Sequence, residues 1–231
     1  MNRSDARRAA RIWRYTLNIQ PVIPFELTSD WLLVSRTILP VVCAPKPVGG
    51  EPSFDSVEVS AVGTGPRLGG LGDVTQSFFV APKEPMGGWI WGAGPVFRLP
   101  TASRDAFGDG MWGAGPTAVV LRQDDAWTYG LLANHIWSFA GWGDTDVSIT
   151  ALQPFLAYTT PSLTTFGLGT ETGYDWLHNQ WVVPLDISVS QLVRLGKLPV
   201  DIGLGLRLYA ERPEGGPDWG LKLTMTYMFA K

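Results

Sequence analysis

The C-terminal third of the chain alternates between two kinds of side chain along several consecutive segments. From residue 219 onward, one set of alternate positions holds large apolar residues: Trp219, Leu221, Leu223, Met225, Tyr227 and Phe229. The positions between them hold Gly, Lys, Thr and Met. The same period of two recurs over residues 200–211, 181–190 and 164–176. Successive side chains of a β-strand point to opposite faces, so this period predicts four consecutive strands.

The same pattern upstream predicts an all-β chain. Further candidate strands lie at about 15–26, 30–42, 73–82, 88–99, 112–122, 126–140 and, less regularly, 146–159, which makes about eleven in total. The 27 Gly and 18 Pro recur every few residues and leave little room for a helix of ordinary length. Segments of roughly 9 to 15 residues exceed the usual soluble strand and suit tilted strands that cross a bilayer.

Composition favours a membrane barrel. Hydrophobic residues make up 45% of the 231 residues and charged residues only 17%, yet no apolar run reaches the roughly 18 residues of a transmembrane helix. The non-apolar strand faces carry Gly, Ser, Thr and sparse charges, which suits a confined lumen. Many Trp lie near predicted strand ends, as in the aromatic girdles of outer-membrane barrels: Trp31, Trp89, Trp91, Trp112, Trp127, Trp137, Trp176, Trp181 and Trp219. The alternative is that these Trp pack a soluble core.

The predicted connections alternate in length. Long or Gly-rich ones lie at about 43–72, 100–111, 141–145 and 213–218, and short ones at about 27–29, 83–87, 123–125, 160–163 and 194–198. The connection at 178–179 is short although it falls on the long side. Outer-membrane barrels have longer external loops and short periplasmic turns. We therefore expect the long set to be external, with residues 43–72 acting as a lid.

Strand number and the N-terminal residues bear on domain organisation. Bacterial single-chain barrels have an even number of strands, so about eleven strands suggest a barrel of about twelve with one strand missing upstream. Residues 1–14 are basic and atypical, with five Arg but without the apolar region of a signal peptide. We interpret residues 1–14 as a truncated or mis-started segment and residues 15–231 as a single barrel domain, in the fold class of antiparallel up-and-down transmembrane β-barrels.

Charge and cysteine content argue against several other classes. The net charge of −3 offers no excess of positive charge to a nucleic acid. One Cys and two His leave no disulfide framework and no convincing metal site. We expect no metal and no cofactor.

Five segments together resemble a known family of barrels. They are Leu17-Asn18-Ile19-Gln20-Pro21-Val22-Ile23-Pro24-Phe25, Gly72-Asp73-Val74-Thr75-Gln76-Ser77-Phe78-Phe79, Trp91-Gly92-Ala93-Gly94-Pro95-Val96, Asn134-His135-Ile136-Trp137-Ser138-Phe139 and Pro217-Asp218-Trp219-Gly220-Leu221. Over residues 15 to 231 the chain resembles the phenol-degradation meta-pathway outer-membrane family, often described as transporters. The resemblance implies an outer-membrane β-barrel of Gram-negative bacteria with a loose link to uptake of aromatic compounds, and it brings no catalytic residues. Family members have a signal peptide and an additional strand at the N-terminus, where this sequence departs from them.

The predicted inner faces of the last strands bring charged residues together. With two-residue turns at 178–179, 196–197 and 215–216, Glu171 lies opposite Asp186, Asp186 opposite Arg207, and Arg207 opposite Thr224, with Lys222 diagonal to Arg207. Two neighbouring carboxylates stay ionised only beside a cation. The row is either a charged constriction that filters solutes or an internal salt-bridge plug that stabilises a narrow barrel. The other predicted lumen residues are Asn18, Gln20, Arg36, Asp73, Arg98 and Asn134.

Two other classes of function compete with a channel. A soluble or periplasmic ligand-binding barrel would bury Leu204, Leu206, Leu221 and Leu223 inside, whereas a membrane barrel exposes them. A barrel lipid hydrolase would need His135 near a Ser hydroxyl. Alternation places His135 and Ser138 on opposite faces, so this second alternative is the weaker one.

We therefore predict a non-enzymatic, porin-like outer-membrane channel or transporter for small solutes, including hydrophobic or aromatic ones. The expected partners are outer-membrane lipid, a small-molecule solute and, through the C-terminal strand, the barrel-assembly machinery. No nucleic acid is expected to bind.

Overall fold

Antiparallel strands make up nearly all of the regular structure. The structure, a computed structural model, describes residues 13–45, 57–61, 67–144, 146–196, 198–213 and 216–228. In chain order the strands are β1 Trp13–Ile19, β2 Val22–Glu26, β3 Trp31–Pro45, β4 Val57–Ala61, β5 Arg67–Leu71, β6 Val74–Pro82, β7 Trp89–Leu99, β8 Met111–Asp124, β9 Trp127–Gly141, β10 Ser148–Thr159, β11 Thr164–Gly169, β12 Thr172–Asp175, β13 Gln180–Leu195, β14 Leu198–Glu211 and β15 Trp219–Tyr227. One short 3₁₀ helix, Asp105–Phe107, interrupts the connection between β7 and β8.

The strands close into a ring. Following the hydrogen-bonded neighbours from β3, the order is β1, β4, β15, β14, β13, β11, β10, β9, β8, β7 and β6, which pairs with β3 again. Every pairing is antiparallel, and twelve strands form the circuit. The remaining three continue interrupted strands: β2 follows β1 beside β3, β5 precedes β6, and β12 follows β11 between β10 and β13. The all-β barrel expected from the alternation is therefore confirmed.

Strand β4 corrects the expectation for residues 43–72. The sequence predicts that these residues form an external loop and contribute no strand to the barrel wall. In the structure, Val57–Ala61 lies between β1 and β15 and pairs with both. Arg67–Leu71 forms β5 and pairs with β3. The twelfth strand of the ring therefore comes from within the predicted lid, and residues 46–56 and 62–66 lie outside the described residues.

The apolar strand faces point outward. Leu204 is 55% exposed, Leu206 38%, Leu221 43% and Leu223 56%. Polar Arg207 and Asp73 are instead buried on the opposite, inner side. Because a soluble ligand-binding barrel would bury the four leucines, this arrangement contradicts that alternative.

Exposed aromatic residues form two bands on the outer wall. The connections 100–110 and 142–147 lie at one end of the barrel, the long-loop end, and the hairpin turns 125–126 and 160–163 at the other, the turn end. Exposed rings near the long-loop end include Trp112, Trp137, Trp176 and Trp181, and those near the turn end include Trp31, Trp89, Trp127 and Tyr158. A transmembrane barrel carries such girdles at its two interfaces.

Within the described residues, no helix is long and apolar enough to cross a membrane.

Candidate functional site

Arg207 is the centre of a charged cluster on the inner wall. It stands on β14, whose neighbouring positions Leu206 and Leu208 face outward. Its Nε donates to Oδ1 of Asp186 at 2.7 Å, and its Nη2 donates to Oδ2 of the same carboxylate at 2.6 Å. Nη2 also contacts Oε2 of Glu171 at 2.5 Å. Lys222 completes the cluster, since its Nζ donates to Oε1 of Glu171 at 2.9 Å.

The charges in this cluster balance one another. Two carboxylates face one guanidinium and one ammonium, with Arg207 buried to 3% side-chain exposure and Glu171 to 11%. Removing charges from water is costly unless each gains a well-placed partner, and the bidentate Arg207–Asp186 pair has the geometry that guanidinium favours. The arrangement can hold both carboxylates ionised inside the barrel, as the sequence analysis required.

The pairing register agrees with the expectation at one hairpin and departs from it at two. Asp186 lies opposite Arg207 as predicted. Asp186 also lies opposite Gly169 rather than Glu171, and Arg207 lies opposite Gly220 rather than Thr224. The two incorrect registers are wrong by two and four residues because the hairpin centres lie one and two residues before the assumed turns. Glu171 reaches the cluster from the interruption between β11 and β12.

Thr224 lies further along the inner wall, opposite a glycine. It pairs with Gly203 of β14, and a Cβ placed on that glycine would come within 2.4 Å of the Thr224 Oγ1. The bare backbone at Gly203 makes room for the Thr224 side chain. Its place in the ladder is therefore four residues from the predicted one, although it keeps the predicted face.

A second polar cluster joins a connection at the long-loop end to the barrel wall. The buried Asp73, between β5 and β6, accepts hydrogen bonds from the backbone N–H groups of Ala102 and Asp109, each at 3.0 Å. Arg98 lies 3.6 Å from the Asp73 carboxylate and forms an ion pair with Asp109. Together these contacts clamp both ends of residues 102–109, which we call the clamped loop.

Glycines let the clamped loop approach the wall closely. A Cβ on Gly108 would lie 2.5 Å from Oδ1 of Asp73, and a Cβ on Gly70 would lie 3.1 Å from the ring of Phe107. Arg104 adds a hydrogen bond from its Nε to the carbonyl of Gly69 at 3.2 Å. The connection at 100–111, which the sequence predicts as long and external, is therefore packed against the strands. The sequence alone did not predict this packing, because no periodicity links the loop to β5.

The clamped loop forms one side of a polar cavity of about 120 Å³. The inner wall supplies the other side, with polar lining residues that include Arg14, Asn18, Arg36, Asp73, Thr75, Ser77, Arg98, Asn134 and Gln153. Five of the predicted lumen residues therefore meet here: Asn18, Arg36, Asp73, Arg98 and Asn134. Glu171, Asp186, Arg207 and Lys222 meet in the first cluster, so the structure divides the predicted residues between two places on the inner wall.

Comparison with known proteins shows a likeness of fold. No family model matches the chain. No curated protein matches its sequence. Among solved structures, the crystal structure of an outer membrane channel from Pseudomonas putida F1 is similar, with a TM-score of 0.56 at 16% sequence identity, covering 94% of this chain and 92% of that chain. At that identity the likeness concerns the architecture alone, and this chain has the fold of an outer membrane channel barrel.

Proposed function

We propose that this protein is a passive channel for small solutes in the outer membrane of a Gram-negative bacterium. The observation that carries the proposal is the arrangement of the two barrel faces. Large apolar side chains are exposed outward, and charged side chains cluster on the inner wall. Lipid is the environment that matches the first face, and an aqueous or partly aqueous path matches the second.

The Glu171–Asp186–Arg207–Lys222 cluster would act as the charged constriction of that path. Rings or rows of charged side chains set the ion preference of β-barrel pores. The cluster holds equal numbers of positive and negative groups, so it would favour neither cations nor anions. Uncharged solutes would meet no net charge as they pass it. Small neutral solutes, among them aromatic ones as the family resemblance implies, are the proposed cargo.

The first test is electrical and uses a matched pair of variants. Purified, folded protein in planar bilayers should give discrete conductance steps. Glu171→Gln leaves the cluster with surplus positive charge, and Lys222→Gln leaves it with surplus negative charge, while the Arg207–Asp186 pair persists in both. We expect the reversal potential in a salt gradient to shift toward anion preference in the first variant and toward cation preference in the second.

Controls separate this effect from a change in total charge. Glu26 and Lys83 form an ion pair of 3.3 Å at the turn end, so Glu26→Gln and Lys83→Gln change the same charges away from the cluster and should shift the potential little. Shifts of the same direction in both cluster variants would refute the constriction. A protein that gives neither conductance nor uptake of a small aromatic solute into liposomes would refute the channel itself.

A further inference from the structure

A hydrogen-bonded group of polar side chains lies on the outer wall. His135 of β9 and Thr150 of β10 face each other in the ladder, with 2.7 Å between His135 Nδ1 and Thr150 Oγ1. The indole Nε1 of Trp176 donates to the same Thr150 Oγ1 at 2.8 Å. On the other side of the imidazole, the Oγ of Ser148 lies 3.5 Å from His135 Nε2.

The face that carries this group is the outer one. On β9 the odd-numbered positions include the exposed Trp127, Leu131 and Trp137, whereas Ile136 is buried inward. On β10 the even-numbered positions include the exposed Leu152 and Leu156. The same outward-facing positions on the two strands hold His135, Ser148 and Thr150. All three side chains are half-buried. The group is therefore accessible from outside the barrel and separate from the lumen.

Along the barrel axis, this polar group lies at the height of the aromatic girdle at the long-loop end. The His135 ring packs on Trp137, with 4.0 Å between ring centroids. Ser148 lies opposite Trp137 in the ladder, and Trp176 donates its backbone N–H to Ser148 at 2.9 Å. Aromatic girdles mark the interface between hydrocarbon and head groups, which is where the ester groups of membrane lipids lie.

The arrangement of Ser148, His135 and Thr150 resembles that of a hydrolytic site. We propose that Ser148 and His135 form a site for hydrolysis of lipid acyl esters on the outer wall, with Ser148 as nucleophile, His135 as base and Thr150 as a positioning residue. A serine hydroxyl beside an imidazole that is itself held by a third group is the usual signature of an activated nucleophile. Such contacts are commonly long before substrate binds.

Hydrogen bonding is compatible with the tautomer that the chemistry needs. A hydroxyl oxygen has two lone pairs, so Thr150 Oγ1 can accept from both the Trp176 indole and the Nδ1–H of His135. With the proton on Nδ1, the lone pair of Nε2 faces the Ser148 hydroxyl. In this tautomer, Thr150 orients His135 to accept the serine proton.

The reaction uses water as its second substrate. Ser148 Oγ bonds to the ester carbonyl carbon as its proton passes to His135 Nε2, and the ester C–O bond breaks as the alcohol takes that proton. Water then attacks the acyl group on Ser148 and gives its proton to His135. The acyl–Oγ bond breaks, Ser148 Oγ regains the proton, and the carboxylic acid leaves. We expect slow turnover, since a dedicated oxyanion donor supplies a further factor of about 10² to 10³ and the neighbouring N–H of Val147 already donates to Ser138 Oγ at 2.9 Å.

Covalent labelling tests the nucleophile directly. Folded full-length protein in detergent micelles is incubated with a fluorophosphonate probe, and the labelled peptide is identified by mass spectrometry. We expect label on Ser148, none in Ser148→Ala, and greatly reduced label in His135→Gln. Ser138→Ala is the matched control, because Ser138 lies on the opposite face and bonds to Asp146 at 3.0 Å. Label that persists in Ser148→Ala, or its absence from the folded wild-type barrel, would overturn the proposal.

Hydrolysis of p-nitrophenyl butyrate and of a diacyl phospholipid in mixed micelles tests turnover and positioning. Thr150→Val should lower the rate by about tenfold, which corresponds to the loss of one orienting hydrogen bond. Thr150→Ser retains the hydroxyl and should restore most of the rate. A Lys83→Gln barrel, altered at the turn end away from both this group and the lumen cluster, should hydrolyse at the wild-type rate. Equal rates in Thr150→Val and wild type would contradict the positioning role, and a wild-type rate equal to the buffer blank would contradict the site.

Discussion

At the scale of single residues, the inner wall is organised by buried charges with several partners each. Arg207 contacts two carboxylates, and Asp73 accepts two backbone N–H groups while it faces Arg98. Deleting one partner of a buried charge leaves the other uncompensated, at a cost of about 3–5 kcal/mol. Such residues fix the position of the groups that they bind. Asp73 fixes the clamped loop in this way.

Asp73→Asn should release the clamped loop. The amide keeps one acceptor oxygen but presents an NH₂ group to the second backbone N–H, so one of the two hydrogen bonds is lost along with the charge that faces Arg98. We expect trypsin to cut after Arg104 much faster in the variant, as followed by mass spectrometry of the fragments. Asp125→Asn, in a turn at the other end of the barrel, is the control. Equal cleavage rates in all three proteins would show that Asp73 does not hold the loop.

At the scale of strands, the sequence predicted faces better than registers. A slip of one residue reverses a strand's faces, whereas the two- and four-residue errors at Glu171 and Thr224 preserve them. The register of β13 and β14 was predictable because Gly196, with φ of 66°, allows a two-residue turn. At the next hairpin, Gly215-Gly216 favoured a two-residue turn, whereas the β14–β15 register places the hairpin centre two residues earlier. The Ser148–His135 contact joins two strands, so the spacing of His135 and Ser138 along one strand does not predict it.

Strand β4 was missed because it is short. Val57-Glu58-Val59-Ser60-Ala61 does alternate, but five residues within a long Gly- and Pro-containing stretch are hard to distinguish from a loop. It lies between β1 and β15 and pairs with the otherwise free edge of each. Backbone N–H and C=O groups in a bilayer must find hydrogen-bond partners within the protein. The side-chain pattern of a short segment does not show which distant strands will supply those partners.

Val59→Pro should prevent closure at β4. Val59 pairs with Tyr15 of β1 and Leu221 of β15, and proline removes the N–H and disturbs the ladder. Each unsatisfied backbone group in the bilayer costs several kcal/mol, so we expect the compact, heat-modifiable gel band to be lost. Val59→Thr keeps the backbone N–H and should retain the band. If the proline variant also retains it, β4 is not needed for closure.

At the scale of the whole molecule, the girdle spacing matches a membrane. Trp127 and Trp137 are ten residues apart on β9, which is roughly 33 Å along a strand and about 25 Å along the axis of a barrel with strands tilted by about 40°. That height equals the apolar band of transmembrane barrels. The sequence alone predicted this apolar band with its two aromatic girdles. Alternation and the placement of aromatic residues can both be read along a single strand, without knowledge of which strands pair.

A charge on the outer wall should therefore cost stability according to depth. Leu131 lies near the middle of the band between Trp127 and Trp137, and Phe139 lies beyond Trp137. We expect Leu131→Arg to lower the free energy of unfolding in liposomes by about 2–4 kcal/mol and Phe139→Arg by about 0–1 kcal/mol. Denaturant titration of the liposome-bound barrel measures both. Equal penalties at the two positions would mean that the band does not lie in the hydrocarbon layer.

The position of β4 in the ring also constrains the time course of assembly. Val57 pairs with Leu223, 166 residues later in the chain. This seam between β4 and β15 cannot form until β15 has been synthesised. Contacts of such long sequence separation form slowly because loop closure costs entropy before any contact is gained. Until then, the curved sheet has two unsatisfied edges that could recruit a neighbouring chain. Seam closure is therefore the expected slow, committing step of folding and the stage at which a nascent barrel is most exposed to misassembly.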